Sequence, residues 1–297
     1  MSQWTDISEW GHGENIDSEL ERIPTASLKT INMEGIGNPE SMQAVIVNDR
    51  LVGTVSKRYG LVQHKEAFAP IVQGLRETNA KFRHNLWYTN VTAKKAFLDV
   101  FTQEADDSVQ IGFRVVNTIN GTGAIRYAFS SFTATSVIEL VGYRQVCANG
   151  MKLRVPLHEA EIVKVEERMQ IEKLLESHAV IRHTTNANTK LQMIQLAVEA
   201  MQIMKEPVAR MIRAARGTPI AKEYAKQLIG EYIGKRLHEE ILAQYSNEEQ
   251  NIWGLYNAIT NVASHNSEIA QSTANGLINN SAIMLEEVVA PRPRKRA

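Results

Sequence analysis

Residues 42–55, MQAVIVNDRLVGTV, decide the fold class. Two apolar runs flank Asn48-Asp49, and within them the period is two rather than the three to four of a helix. The pattern predicts strand, tight turn and strand, because Asn and Asp tolerate the backbone of a short hairpin loop.

Outward toward the C-terminus, HKEAFAPIVQGLRET (64–78) spaces Phe68, Ile71, Val72 and Leu75 as one face of a short helix, with Pro70 expected in its first turn. Four strands are expected next. In KFRHNLWY (81–88), Phe82, Leu86 and Tyr88 alternate with Lys81, Arg83 and Asn85. KKAFLDVF (94–101) offers Ala96, Leu98 and Val100, and VQIGFRVV (109–116) offers Val109, Ile111, Phe113 and Val115. After the NGTG turn, Ile125, Tyr127 and Phe129 alternate with Arg126. Such alternation marks an antiparallel sheet with one buried and one wet face. If these strands are neighbours, Arg83, Lys95, Arg114 and Arg126 form a stripe across the wet face.

Past VPLHE (155–159) the period turns helical. Ile162, Val165, Met169, Leu174 and Leu175 stripe one helix, and a second runs from about Thr189 to Ala215, with Pro207 expected to kink or split it. Thr218 with Pro219 reads as a helix start, and Ser246 with Glu249 has capping-box spacing. The expected class is therefore α+β: an N-terminal antiparallel sheet with a packed helix, then a helical C-terminal region. Four parts follow from this: an acidic, partly irregular leader (1–40), a basic β-rich domain (41–157), a helical region (158–290) and a basic tail (291–297) expected to be disordered. The leader closes with EGIGNPE, whose Gly35 and Gly37 lack the third glycine and preceding strand of a dinucleotide loop and read as a turn.

The net charge of zero hides segregation. Residues 1–40 hold 2 basic and 8 acidic groups, 41–155 hold 14 and 8, 156–290 hold 13 and 17, and 291–297 hold 4 and none. A basic central block reads either as a surface for a polyanion or as a solvated sheet face with surplus cations. No apolar run approaches the roughly 20 residues that cross a bilayer, and the polar, acidic start lacks the features of a secretory signal. A cytoplasmic protein without a membrane role is expected.

A single cysteine forms neither an internal disulfide nor a cysteine-based zinc site. The chain has no GxSxG, no phosphate-binding GxxxxGK[ST] and no HExxH; HEEIL (238–242) places Leu242 where the second histidine would stand. The adjacent acidic pairs Asp106-Asp107 and Glu239-Glu240 point apart in regular structure. No catalytic residues, metal site or cofactor are expected. Cys147, in GYRQVCANGMKLR (142–154), follows an apolar Val146 and is expected to be a buried structural residue, with Asn149-Gly150 supplying a left-handed turn.

Three stretches, VSKRYGLVQHKEAFAPI, the block from NGTGAIRYAF to RQVCANGM, and NIWGLYNAITNVASH, resemble in order and spacing the hallmark segments of a phage- and plasmid-related family. It is known as domain of unknown function number nine hundred and thirty-two, and the resemblance covers about residues 45 to 267. It implies that Arg144, Cys147, Asn149, Gly150, Trp253, Gly254, Tyr256, Asn257 and His265 are family-motif residues, structural in role. The order of hairpin, helix, strands and helix is also similar to that of Rad-type single-strand annealing recombinases, whose rings hold one strand in a basic groove. By that analogy Lys57, Arg58, Lys81, Arg83, Lys94, Lys95, Arg114 and Arg126 track phosphates and Trp87 stacks a base. The expected function is single-stranded DNA binding and annealing by a homo-oligomer, as a ring or filament, without a nucleotide cofactor. The alternative is a mobile-element module that binds or inhibits a host or defence protein, and a metal-dependent nuclease comes third.

Overall fold

The computed structural model describes residues 7–31, 42–89, 91–106, 108–122, 126–127, 137–169, 187–235 and 237–290. The predicted hairpin is β2 (Met42–Val47) and β3 (Arg50–Ser56), and its Asn48 and Asp49 take φ of 47° and 57°. Consecutive left-handed residues match the twist of the flanking strands. The leader is more ordered than its lack of periodicity predicted: it supplies helix α1 (Ile16–Glu21) and strand β1 (Ala26–Thr30), which pairs antiparallel with β2. The Gly35–Gly37 turn and the basic tail lie outside the described residues.

Helix α2 (His64–Glu77) follows, opened by a capping box of Gln63 and Glu66. Pro70 falls inside it, not in its first turn. The second sheet runs in the order β4 (Arg83–Tyr88), β5 (Lys95–Asp106), β6 (Val109–Thr118), β8 (Val137–Arg144) and β9 (Asn149–Pro156). The two-residue β7 (Arg126–Tyr127) pairs beside Val115 and Val116 of β6. All these pairings are antiparallel, as the alternation predicted. The sheet's inner face presents Leu98, Val100, Ile111, Phe113 and Val115, each at most 1 % exposed.

The helical half comprises α3 (Glu159–Met169), α4 (Ala187–Arg216), α5 (Lys222–Leu228), α6 (His238–Tyr245), α7 (Ile252–His265) and α8 (Gln271–Val289). Three local expectations are corrected. Of the kink or split expected at Pro207, the split is ruled out: α4 continues through it as one helix. Thr218 does not cap α5: its hydroxyl donates to Ala214 O at 2.8 Å at the end of α4, and α5 starts after Ala221. Asn251, not Ser246, caps α7, its side chain accepting from Gly254 N at 2.8 Å. One continuous apolar core joins α1, α2, the inner sheet face and α4 to α8. A smaller one lies under the β1–β2–β3 sheet, where Val45, Val47, Val52 and Val55 meet Ile119. The chain is thus mixed α and β with antiparallel sheets and a helical C-terminal region. No helix among the described residues is long and apolar enough to cross a membrane.

Candidate functional site

Strand register decides where the expected basic stripe goes. Lys95 lies opposite Thr118, Arg114 opposite Asp99 and Arg83 opposite Phe101. These residues share the outer face, but Lys95 and the position of Arg83 stand six residues apart along β5, roughly 20 Å at strand rise. Between them the face is closed. Asp99 has no exposed surface and accepts from Arg114 Nε at 2.5 Å and Nη2 at 2.8 Å, and from Trp87 Nε1 at 3.2 Å. Trp87 is 7 % exposed, stacked at 3.8 Å on Phe97, with the Arg114 guanidinium 5.3 Å from both rings. Trp87 therefore offers no open face to a base, and Arg114 is committed to a buried carboxylate.

Arg83 is engaged as well. It donates to Ser8 O at 2.7 Å and to Gln110 Oε1 at 3.2 Å, and its guanidinium stands 5.3 Å over Tyr143. Lys81, just before β4, is exposed at that same end. The side chain of Arg126 lies outside the described residues. The stripe is thus interrupted rather than continuous.

The opposite end of the sheet gathers a different set. Lys94 immediately precedes β5 and Lys95 opens it, and Thr89, which follows β4, donates its N–H to Lys95 O at 2.9 Å. Tyr88 is 39 % exposed and Val91, in the same β4–β5 loop, 63 %. Lys95 Nζ stands 4.8 Å over the ring of Phe97. The turn holding Lys57 and Arg58, both exposed, is brought in by Tyr59, whose hydroxyl reaches Thr118 O, opposite Lys95, at 3.5 Å. Lys57, Arg58, Lys94 and Lys95 thus lie toward one end of the large sheet as a cationic rim, and Tyr88 and Val91 are exposed in the same β4–β5 connection as Lys94 and Lys95, Val91 meeting the tip of the β2–β3 hairpin through Asn48 Nδ2, which donates to Val91 O at 3.2 Å. Sequence reasoning placed Tyr88 in the core, although its position at the strand's end, before a polar loop, was the signal that it opens to solvent.

The motif residues converge on a second place. Residues 145–147 make one 3-10 turn, Ala148 takes the left-handed conformation (φ 51°), and β9 starts at Asn149. The left-handed position is thus Ala148 and not Asn149-Gly150. This turn docks on α7. His265 Nε2 donates to Cys147 O at 2.7 Å and to Asn149 Oδ1 at 3.0 Å; both are acceptors, so the ring carries a proton on Nε2. Asn149 Nδ2 donates to Asn257 O at 3.4 Å, Gly150 N to Ser264 Oγ at 3.1 Å, and Tyr256 Oη to Lys152 O at 2.8 Å. Trp253 stacks on Tyr256 at 5.3 Å.

Arg144 donates to both oxygens of Glu248, at 3.1 and 3.2 Å. Burial pushes the half-buried Cys147 thiol up, Arg144 pulls it back and Glu248 opposes Arg144. That setting does not favour a thiolate nucleophile. Gly254 is dictated by space, since a Cβ there would lie 1.9 Å from Glu249 O. The motif residues build a polar joint between β9 and α7. Glu248 and Ser264 escaped sequence reading because their partners lie more than 100 residues away.

The family model described as Domain of unknown function (DUF932) matches residues 51–284. No curated protein and no solved structure matches. The match spans both the cationic rim and the β9–α7 joint, and the chain belongs to this family, Domain of unknown function (DUF932).

Proposed function

We propose that the chain is a non-enzymatic single-stranded DNA-binding protein of the strand-annealing kind. The observation that carries this reading is the end of the large sheet where Lys94 and Lys95 share the β4–β5 connection with exposed Tyr88 and Val91, and toward which Tyr59 brings Lys57 and Arg58. Cations alone serve any polyanion. An exposed aromatic and an apolar loop residue among them fit unpaired bases, whose faces stack on such side chains while the backbone follows the charge. The order of hairpin, helix and antiparallel strands is similar to that of Rad-type annealing recombinases, which supports the reading as an analogy of topology. In this proposal the rim holds one strand with its charge neutralised and its pairing edges open to a complement, so that no nucleotide cofactor is needed. An assembly of several copies, as a ring or filament, extends the rim along the strand.

Filter binding of a labelled oligonucleotide tests it. Binding at low salt, weakened by Lys94→Glu with Lys95→Glu and by Tyr88→Ala, supports the proposal. No retention at low salt, or retention unchanged by the double charge reversal, removes it. Equal affinity for duplex of the same length turns the reading into one of unspecific polyanion binding.

A further inference from the structure

The cationic rim hangs on a loop whose conformation needs an explanation. Ala93 immediately precedes Lys94 and has φ of 42°, with no exposed surface. A left-handed, non-glycine residue of this kind is strained and persists only where its surroundings hold it. What holds it is a histidine from α2. His64, 2 % exposed, places Nε2 2.6 Å from Ala93 O. Its other nitrogen, Nδ1, lies 3.1 Å from Nδ2 of Asn117, which is 1 % exposed.

The chemistry allows one assignment. Ala93 O only accepts, so Nε2 carries the hydrogen; the Asn117 amide nitrogen donates, so Nδ1 is the bare acceptor. Asn117 Nδ2 also donates to Val62 O at 3.1 Å, just before α2, which fixes the direction of its amide. The imidazole is thus a neutral strut with one donor and one acceptor, both used. It packs against Phe68, with ring centroids 6.2 Å apart. Beyond Ala93 the chain is held again, because Ile119 N donates to Lys94 O at 3.1 Å.

We propose that His64 is a positioning residue for DNA binding: with Asn117 it locks the carbonyl of Ala93 and so sets the direction in which Lys94 and Lys95 meet phosphate. The inference rests on the functional reading above and adds to it a residue that touches no ligand. A buried histidine serving only as core filler would be replaceable by any apolar side chain of similar size. This one is replaceable only by a side chain that donates at one end and accepts at the other.

The test uses the full chain with two substitutions and two readouts. His64→Gln keeps a donor and an acceptor; His64→Leu keeps bulk and loses both. Amide hydrogen exchange over residues 91–95 reads the lock without any ligand, and oligonucleotide affinity reads its consequence. The expected result is faster exchange confined to this loop and about tenfold weaker binding in His64→Leu, with both near wild type in His64→Gln; tenfold is what one ordinary net hydrogen bond accounts for. Should His64→Leu fail to fold, Asn117→Ala replaces it, with the same two readouts expected to move. Unchanged exchange at 91–95 in His64→Leu, or in Asn117→Ala where that replaces it, overturns the lock. Faster exchange with unchanged affinity overturns the positioning role while leaving the DNA-binding reading intact. If the wild type binds no oligonucleotide, the functional reading falls and takes the positioning role with it, whereas the exchange data still decide whether the lock exists.

Discussion

A carboxylate with no exposed surface is costly unless its cation stays beside it, and Asp99 keeps both Arg114 and the indole N–H of Trp87. Asp99→Asn removes the charge while preserving the shape, so Arg114 loses the carboxylate it pairs with here. We expect a loss of about 3 kcal/mol, the low end for breaking a buried pair, because Arg114 keeps partial exposure; urea unfolding followed by tryptophan emission measures it. Glu161 gives a second test. Hydrogen bonds from Arg210 hold its carboxyl at about 2, below the ordinary 4.5. The folded state therefore binds fewer protons than the unfolded one between these values, and the stabilisation is complete above pH 4.5 and is lost as pH falls through about 2. Thermal unfolding of wild type and Glu161→Gln should show a gap at pH 7 that narrows below pH 4.5 and closes only below about pH 2. At this scale the sequence was legible where side chains stand in turns: Lys57, Arg58 and Lys94 needed no register to be read as surface cations. Arg114 was not legible, because its partner lies 15 residues away on a neighbouring strand and only the pairing register joins them.

Among elements, the strands were readable because a period of two leaves little else to choose, and their antiparallel pairing follows from short connections. The proposed wet face was misread for a physical reason. Phe97, Asp99 and Phe101 alternate with Leu98 and Val100 in β5, yet none of the five is more than 5 % exposed, so both faces of this strand are buried. Helix starts were shifted because a hydroxyl donates as readily to the preceding helix's carbonyls, as Thr218 and Ser246 do, as it accepts at a cap. The docking of α7 on β9 required two distant segments to meet, and no local period encodes that. One element-scale prediction concerns the start of α7. Gly254→Ala places a methyl 1.9 Å from Glu249 O, so the 246–251 loop must move, and it carries the Glu248 partner of Arg144. We expect a loss of about 3 kcal/mol, at the severe end of overpacking, and faster hydrogen exchange at 144–151 as well as at 246–254. Exchange changes restricted to α7 itself would show that the joint does not depend on this glycine.

For the whole molecule, charge segregation is resolved partly by internal pairing, and what stays on the surface determines how the chain meets a polyanion. The acidic leader spends Asp17 on Arg76, Glu19 on His84 and Glu21 on Lys65, while Glu139 and Glu286 occupy Lys152 and Arg154. Much of the excess positive charge counted in residues 41–155 is thereby removed from any outside ligand. Lys57, Arg58, Lys94 and Lys95 lie toward one end of the large sheet, and the proposed function, with all four reaching the strand, gives about four phosphate contacts per chain. Each contact on a single strand contributes about −0.7 to the slope of log affinity against log salt, so a slope near −3 is expected. A full stripe of eight cations would have given nearly −6. Titrating a fluorescent oligonucleotide across salt at protein concentrations below self-association separates the two, and light scattering of the same samples reports whether several chains share one strand. A slope near zero would mean that binding, if present, is not carried by phosphates at all. A slope near −6 would mean that Arg83 and Arg114 leave their present partners when DNA arrives, which requires the outer face around Asp99 to open.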